Sequence, residues 1–189
     1  MALPAAKFVS KEEYLDAELY AAEKHEYLEG QVIAMAGASA KHNLVLMNLG
    51  IHIGSFLKDK DCFALPSEMR VTTPDFNSYL YPDLSIVCGQ MELEPGVFDT
   101  LTNPSVIIEV LSPTTMGNDR VFKFYFYRKI PTLREYIIVD PTQYYAEISI
   151  RQPDNSWNLI EIRGENSSLP IRTVDLEIPF REIYFRVEL

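Results

Sequence analysis

Glu109 is the residue of this sequence that most needs a chemical explanation. It lies in the middle of an apolar run, residues 105–111, that is typical of a buried strand. A buried carboxylate is costly unless it is paired, hydrogen-bonded or bound to a metal. Alternation along the strand places Glu109 on the same face as Ile107 and Leu111. The pattern therefore indicates a buried carboxylate whose cost of burial must be offset by a partner or a metal.

Asp83 is a second acid within a largely apolar predicted strand, residues 79–88. If the two strands are neighbours, Asp83 and Glu109 can converge on one hard cation, because Mg²⁺ prefers carboxylate oxygens and retains bound waters. Two simpler interpretations stay open at this point. Asp83 could cap the end of its strand, and Glu109 could form an isolated salt bridge.

A helix predicted over residues 117–129 carries a cation that could serve these acids. Lys123 lies four residues after Asp119 and four before Tyr127, so the three share one helical face, with Arg120 beside them. That face could meet the edge of the sheet. The alternative is an ordinary Asp–Lys pair on a helix surface, worth a few tenths of a kcal/mol.

The overall charge is unfavourable for general nucleic-acid binding. The 189 residues include 17 Lys and Arg against 27 Asp and Glu, which gives a net charge of −10. A protein that coats nucleic acid is expected to be basic. The segment from Asp119 to Arg134 differs, since it holds five basic residues and one acid. An anionic substrate is therefore expected to meet this segment.

Many familiar signatures are absent from the sequence. It has no Gly-rich phosphate loop, GxSxG elbow, HExxH motif or dinucleotide fingerprint. Its three dispersed histidines do not specify a zinc site. Cys62 and Cys88 form no CxxC pair, so we expect reduced thiols in a cytoplasmic protein. With no secretory leader and no long apolar run, neither export nor membrane insertion is expected.

Patterning predicts three helices and several strands. Ser10 and Glu13 form a capping box ahead of a helix over about residues 11–24, and a second helix is predicted over residues 41–57. We predict one domain, residues 1–189, of the α/β or α+β class, in which helices cover a mixed sheet. The predicted β structure is a hairpin over residues 27–35 with a turn at Gly30, strands over residues 62–73, 79–88, 105–111 and 134–140, and a C-terminal hairpin over residues 144–151 and 156–163.

The predicted third helix is rich in aromatic residues. We expect Phe122, Tyr125 and Phe126 to pack against the sheet. The alternative is that these rings, among basic residues, form a platform on which nucleic-acid bases stack. Residues 179–184 are expected to complete the core.

The order of the acids resembles the PD-(D/E)XK nuclease superfamily, in which an Asp is followed on a later strand by an acid, one further residue and a Lys. Pro82-Asp83 and Glu109-Val110-Leu111 fit this order, except that Leu111 stands where the Lys is expected. A longer set of motifs is similar to the Uma-two branch, bacterial proteins labelled "putative restriction endonucleases". The matching motifs are Glu26-Tyr27-Leu28-Glu29-Gly30, Ala36-Gly37-Ala38-Ser39, His42-Asn43, Arg70-Val71, residues 108–115, Asp119-Arg120, Lys123, Tyr127-Arg128 and residues 135–140.

This resemblance implies a restriction-endonuclease-like mixed β-sheet flanked by helices, and hydrolysis of phosphodiester bonds, most simply in DNA. It implies that Asp83 and Glu109 hold Mg²⁺ or Mn²⁺, with the carbonyl of Val110 as a further ligand. In related branches the lysine has moved to a neighbouring helix. Lys123 is therefore the expected catalytic substitute for a lysine at Leu111.

Further residues are expected at the same site. Glu29 is a candidate for an additional metal ligand or a water-orienting acid, and His42 for a phosphate contact near a helix start. Arg120, Tyr127 and Arg128 are candidates for contacts with the substrate. A homodimer would suit the cutting of both strands of a duplex, because a twofold axis relates its two sites.

A different class of function competes with the enzyme. The chain could be a catalytically silent nuclease fold that serves as a binding or regulatory module. The leucine at position 111 and the net charge of −10 favour this interpretation. Metal binding would distinguish the two.

Overall fold

The computed structural model of the chain describes residues 8–112 and 122–189. Its elements include both helices and strands, so the chain is of the predicted mixed α and β class. In chain order they are α1 (Lys11–Glu18), β1 (His25–Leu28), β2 (Gln31–Ala34), α2 (Ala40–Leu57), β3 (Cys62–Pro66), β4 (Arg70–Thr72), β5 (Ser78–Leu80), β6 (Leu84–Cys88), β7 (Thr100–Leu101), β8 (Val106–Val110), α3 (Phe124–Tyr127), β9 (Glu135–Val139), β10 (Tyr145–Arg151), β11 (Trp157–Arg163), β12 (Ser168–Ile171), a 3₁₀ turn (Arg172–Val174), β13 (Leu176–Pro179) and α4 (Phe180–Ile183).

Helix α1 begins at the predicted capping box. The side chain of Ser10 accepts from the backbone N–H of Glu13 at 3.2 Å, and the Glu13 carboxylate accepts from the backbone N–H of Ser10 at 2.9 Å. The helix ends at Glu18, earlier than predicted. The Glu18 carboxylate accepts the backbone N–H of His25 at 2.8 Å. This bond draws the chain out of the helix and into β1.

Two larger sheets and one small sheet make up the β structure. One sheet has five strands in the order β2-β1-β5-β4-β7, and the other has six in the order β11-β10-β9-β8-β6-β3. In the six-stranded sheet β8 and β9 are parallel and the remaining neighbours antiparallel, so the predicted mixed sheet is confirmed. Strands β12 and β13 pair separately.

Two predicted strands are each divided between the sheets. Residues 62–73 give β3 and β4, because a turn closed by the N–H of Met69 on the carbonyl of Pro66 separates them. Residues 79–88 give β5 and β6, interrupted near Pro82, which has no N–H for a β-ladder. The chain thus crosses between the sheets immediately before Asp83.

Helices cover both faces of the six-stranded sheet. On one face α2 buries Val45, Leu49 and Ile53 against a core that includes Ile108 and the C-terminal helix α4. On the other face α3 lies over a second core that includes Ile107. All five residues of β8 are buried, as expected for a strand within the parallel part of a sheet covered on both sides.

The aromatic residues of α3 divide between the core and the surface. Phe126 and Tyr127 are 2% and 0% exposed, whereas Phe122 and Tyr125 are 51% and 45% exposed. The predicted burial is therefore right for Phe126 and wrong for Phe122 and Tyr125. The inward side of this short helix is occupied by Tyr127 together with Lys123, which leaves the other two rings outside.

The expectation of reduced thiols is wrong in this structure. Cys62 on β3 lies opposite Cys88 on β6 in the antiparallel register, and the two sulfurs are bonded. The residues are 26 positions apart in sequence, so only the pairing of the strands brings them together. Within the described ranges, every helix is too short or too polar to cross a membrane.

Candidate active site

Asp83 and Glu109 lie on adjacent strands. Leu84 at the start of β6 pairs with Ile108 of β8 in an antiparallel register, which brings the preceding residue, Asp83, opposite Glu109. The backbone N–H of Val110 donates to Asp83 Oδ2 at 2.7 Å and fixes the aspartate against β8. The two acids selected from the sequence thus share one end of the strand pair.

Lys123 and Tyr127 approach Glu109 from the helix above it. Lys123 Nζ lies 3.2 Å from Glu109 Oε1, and the Tyr127 hydroxyl donates to the same oxygen at 2.9 Å. Both residues are buried, with Lys123 only 8% exposed. Their spacing of one helical turn explains why both side chains reach one carboxylate.

Glu26 is a third acid at this site, and the sequence reasoning did not select it. Its Oε1 lies 3.0 Å from Lys123 Nζ and accepts the backbone N–H of Tyr81 at 3.3 Å. Glu26 belongs to β1 in the five-stranded sheet. Lys123 therefore joins an acid from one sheet to an acid from the other.

Glu29 lies elsewhere. It forms the tight turn between β1 and β2 with Gly30, and both have positive φ values of 49° and 94°. Its exposed side chain is 3.5 Å from Lys129 Nζ. The structure thus pairs Glu29 with a lysine at the surface and does not bring it to Asp83 or Glu109.

His42 lies at the start of α2, beside Asp83. Ser39 caps the helix by accepting the backbone N–H of His42 at 3.2 Å, and His42 Nε2 lies 3.4 Å from Asp83 Oδ1. Burial of the imidazole opposes its charged form, but the hydrogen bond and negative charge of Asp83 outweigh burial, so the pKa of His42 is raised. The contact with Asp83 thus favours the protonated form of His42.

The cluster brings the carboxyl groups of Asp83, Glu26 and Glu109 close to Lys123 and His42. Burial is the main cause that raises the pKa of Glu109 to about 8, and the charges of Asp83 and Glu26 raise it further. Lys123 and the hydrogen bond from Tyr127 act in the opposite direction without cancelling this effect. Additional positive charge would therefore stabilise the ionised cluster.

The remaining predicted residues take different positions. Tyr127 is fully buried and contacts Glu109, so its hydroxyl orients a carboxylate. Arg128 is exposed, with its guanidinium 5.3 Å from the centre of the Tyr125 ring. Val110 contributes its N–H to Asp83. Arg120 lies outside the described residues.

The donor set fits a hard divalent cation. Asp83 and Glu109 supply carboxylate oxygens, and Mg²⁺ characteristically binds through one or two carboxylates while keeping several waters. In the part of the chain that the structure describes, no group of three or more His, Cys, Asp or Glu side chains is placed so that it could hold a metal ion. A cation held by the two carboxylates would take its other ligands from water.

Comparison with known proteins places the chain in a family. Residues 11–181 match the Uma2 family, described as "Putative restriction endonuclease". The chain is 36% identical over 169 residues to the Synechocystis sp. protein sll1609, covering 89% of this chain and 96% of that one. It is 31% identical over 183 residues to slr1290 of the same organism, covering 96% and 95%. Both relatives are described as uncharacterized.

A solved structure has the same fold. The crystal structure of a "putative nuclease belonging to DUF820" from Anabaena variabilis aligns with a TM-score of 0.76. The alignment covers 93% of this chain and 97% of that chain, at 18% sequence identity. The fold is therefore that of a described nuclease-like protein, and the match over residues 11–181 shows that the chain belongs to the Uma2 family, the branch that its motifs indicate.

Proposed function

We propose that this protein is a divalent-metal-dependent endonuclease that hydrolyses phosphodiester bonds in DNA. One observation carries the proposal: a buried lysine bridges acids from two sheets, next to an aspartate, at the end of adjacent strands. Lys123 contacts Glu26 and Glu109 at 3.0 and 3.2 Å, and Asp83 lies beside them. The family description and the shared fold support the same activity.

The charge of the cluster argues for a function beyond stability. A buried ion pair adds little to stability compared with well-packed apolar residues. Here Asp83, Glu26 and Glu109 lie near Lys123 and His42, and the pKa of Glu109 is raised to about 8 by burial first and then by its acidic neighbours. Strongly perturbed carboxylates of this kind concentrate at catalytic sites.

The roles of the residues follow from their positions. Asp83 and Glu109 would hold Mg²⁺ or Mn²⁺, which when bound polarises the phosphate and lowers the pKa of a water molecule. Lys123 provides the ammonium group that offsets the extra negative charge of the transition state. Glu26 and Tyr127 position Lys123 and Glu109, respectively.

Lys123 also accounts for the leucine at position 111. Leu111 is 2% exposed and packs in the core beneath α3, so this position offers no cation. Lys123 brings its ammonium group to Glu109 from the neighbouring helix, in place of the lysine expected at position 111. The departure from the superfamily pattern is thus compatible with an active enzyme.

Calorimetric titration with Mn²⁺ tests the proposal. We expect the parent protein to bind Mn²⁺, and Asp83→Asn and Glu109→Gln to lose both this binding and the cleavage of plasmid DNA. Glu182→Gln is the matched control, because Glu182 is an exposed acid on α4, 3.6 Å from His52. Its binding and cleavage should equal those of the parent. If the parent binds no Mn²⁺, or if neither site variant weakens binding, the silent binding module is the better description.

A further inference from the structure

Two aromatic rings lie exposed beside the site. Phe122 and Tyr125 are 51% and 45% exposed, although they share one short helical segment with the buried Phe126 and Tyr127. The Phe122 ring contacts Phe126 edge-on at 5.4 Å, and the Tyr125 ring does so at 5.2 Å. Both rings are therefore held by the core while part of their surface faces outward.

Positive charge lies beside the Tyr125 ring. Lys129 Nζ lies 4.5 Å from the centre of the Tyr125 ring, and the Arg128 guanidinium lies 5.3 Å from it. No acid occurs in the sequence from Phe122 to Arg134, in a chain whose net charge is −10. The pair of Lys129 with Glu29 at 3.5 Å offsets part of this charge. We name Phe122, Tyr125, Arg128 and Lys129 the α3 surface.

The α3 surface is next to the carboxylate cluster. Lys123 and Tyr127 reach Glu109 from the same helix at 3.2 and 2.9 Å. The exposed rings lie on the outer side of this segment, whose inner side meets the carboxylates, so the width of a helix, about 10 to 12 Å with its side chains, separates the two. A single strand that contacts both would pass around the edge of this segment.

Exposed aromatic rings among cations match the chemistry of unpaired nucleic acid. In a duplex the faces of a base are covered by its neighbours, and only its edges are open in the grooves. A base outside a duplex can stack on an aromatic side chain while basic residues contact the backbone. We infer that the α3 surface binds unpaired bases, and that the substrate of the proposed nuclease is a single-stranded segment of DNA. This inference rests on the proposed function for the position of the cleaved bond.

Binding in the absence of divalent metal tests the inference independently of cleavage. Fluorescence anisotropy would compare a short labelled oligodeoxythymidine, the same strand without bases, and a duplex of equal length, at one salt concentration. We expect the parent to bind the oligodeoxythymidine about tenfold or more tightly than the abasic strand, since only the former has bases that can stack on the rings.

Variants of the rings provide the second arm. Phe122→Leu combined with Tyr125→Leu should weaken binding of the oligodeoxythymidine about tenfold and leave duplex binding unchanged, whereas Tyr125→Phe should bind like the parent. Phe185→Leu is the matched control, because Phe185 is 57% exposed with Arg186 5.3 Å from its ring centre. It follows α4, which packs on the opposite face of the six-stranded sheet.

The outcomes separate this inference from the proposed function. Equal binding of the normal and abasic strands, or unchanged binding after loss of both rings, overturns the role of the α3 surface even if the protein cleaves DNA. Binding that depends on the rings, without any metal-dependent cleavage, would support the role of the α3 surface and contradict the proposed endonuclease activity. Circular dichroism of the double variant shows whether the fold is retained, and the abasic strand tests the parent without any substitution.

Discussion

Replacing Lys123 with methionine should separate stability from chemistry at the carboxylate cluster. The substitution keeps the apolar stem and removes an ammonium group that lies 3.0 Å from Glu26 and 3.2 Å from Glu109. Removing one partner of a buried ion pair typically costs about 3–5 kcal/mol. Burial raises the pKa of Glu109, and Lys123 opposes this rise, so loss of the ammonium group favours the neutral carboxyl and limits the cost. We therefore expect the free energy of unfolding to fall by an amount near the lower figure, about 3 kcal/mol.

The loss in activity should be larger than any change in metal affinity. Asp83 and Glu109 remain in the variant, so Mn²⁺ binding should be no weaker than in the parent. Removing one donor that stabilises charge in the transition state costs about 10²-fold to 10³-fold in rate. With unfolding free energies of about 5–15 kcal/mol for typical domains, the variant should still be folded when its rate is measured.

Urea unfolding in metal-free buffer and plasmid cleavage with Mn²⁺ measure the two effects. Lys24→Met is the control, because Lys24 pairs with Glu68 at 2.6 Å at the surface, where such a pair contributes about 0–1 kcal/mol. Cleavage by Lys123→Met at nearly the parental rate would refute the idea that Lys123 replaces the lysine missing at position 111. Arg120 or a second metal would then be left to stabilise the charge of the transition state. A free energy of unfolding equal to that of the parent would refute the contribution to stability that we assign to the buried contacts of Lys123 with Glu26 and Glu109.

Three further changes test other parts of the structure. Glu29→Ala should leave Mn²⁺ binding and cleavage unchanged and alter the free energy of unfolding by no more than about 0.5 kcal/mol, since its side chain lies at the surface; calorimetry and urea unfolding check this. Reversal of Arg128 and Lys129 to Glu should weaken DNA binding and flatten its dependence on salt, measured by anisotropy over a salt series; unchanged binding would remove both residues from the substrate path. Reduction of the Cys62–Cys88 bond, which closes a segment of 26 residues, should lower the free energy of unfolding by about 2–4 kcal/mol, and an unchanged urea midpoint with added reductant would contradict this.

The sequence predicts the strand that carries Glu109 and the direction of its side chain well. Alternation in an apolar run is a local property, and β8 keeps it with Ile107 on the side of α3 and Ile108 on the side of α2. Helix α2 is found within one residue of its predicted start. Lys123 and Tyr127 meet Glu109 because their spacing of four is also local. These features need no knowledge of distant contacts.

Properties that depend on distant contacts were not predictable in the same way. Cys62 and Cys88 are joined only because β3 pairs with β6, and the sequence pattern does not specify strand order. Residues 62–73 and residues 79–88 each have a continuous strand pattern in the sequence. In the structure, each range is divided between the two larger sheets. The inward side of α3 was misjudged at Phe122 and Tyr125 because two polar groups, on Lys123 and Tyr127, occupy it.

The choice between Glu29 and Glu26 could have been made from turn chemistry. A two-residue hairpin turn requires positive φ at its central positions and favours Gly there, and Glu29-Gly30 occupies these positions. A turn residue projects to solvent, whereas Glu26 lies in the strand before it and is 8% exposed. The acid inside the short strand was the better candidate, and only its contact with Lys123 required the structure.

The bridge made by Lys123 has a consequence for the chain during its synthesis. Its partners lie at positions 26 and 109, in different sheets, and Tyr127 orients the second of them. A growing chain therefore cannot assemble this cluster until the segment through Tyr127 has left the ribosome and both sheets have docked. Fragments that end earlier lack the ammonium group, even when they contain every acid. Any activity that depends on the bridge is thereby withheld from incomplete and half-folded molecules.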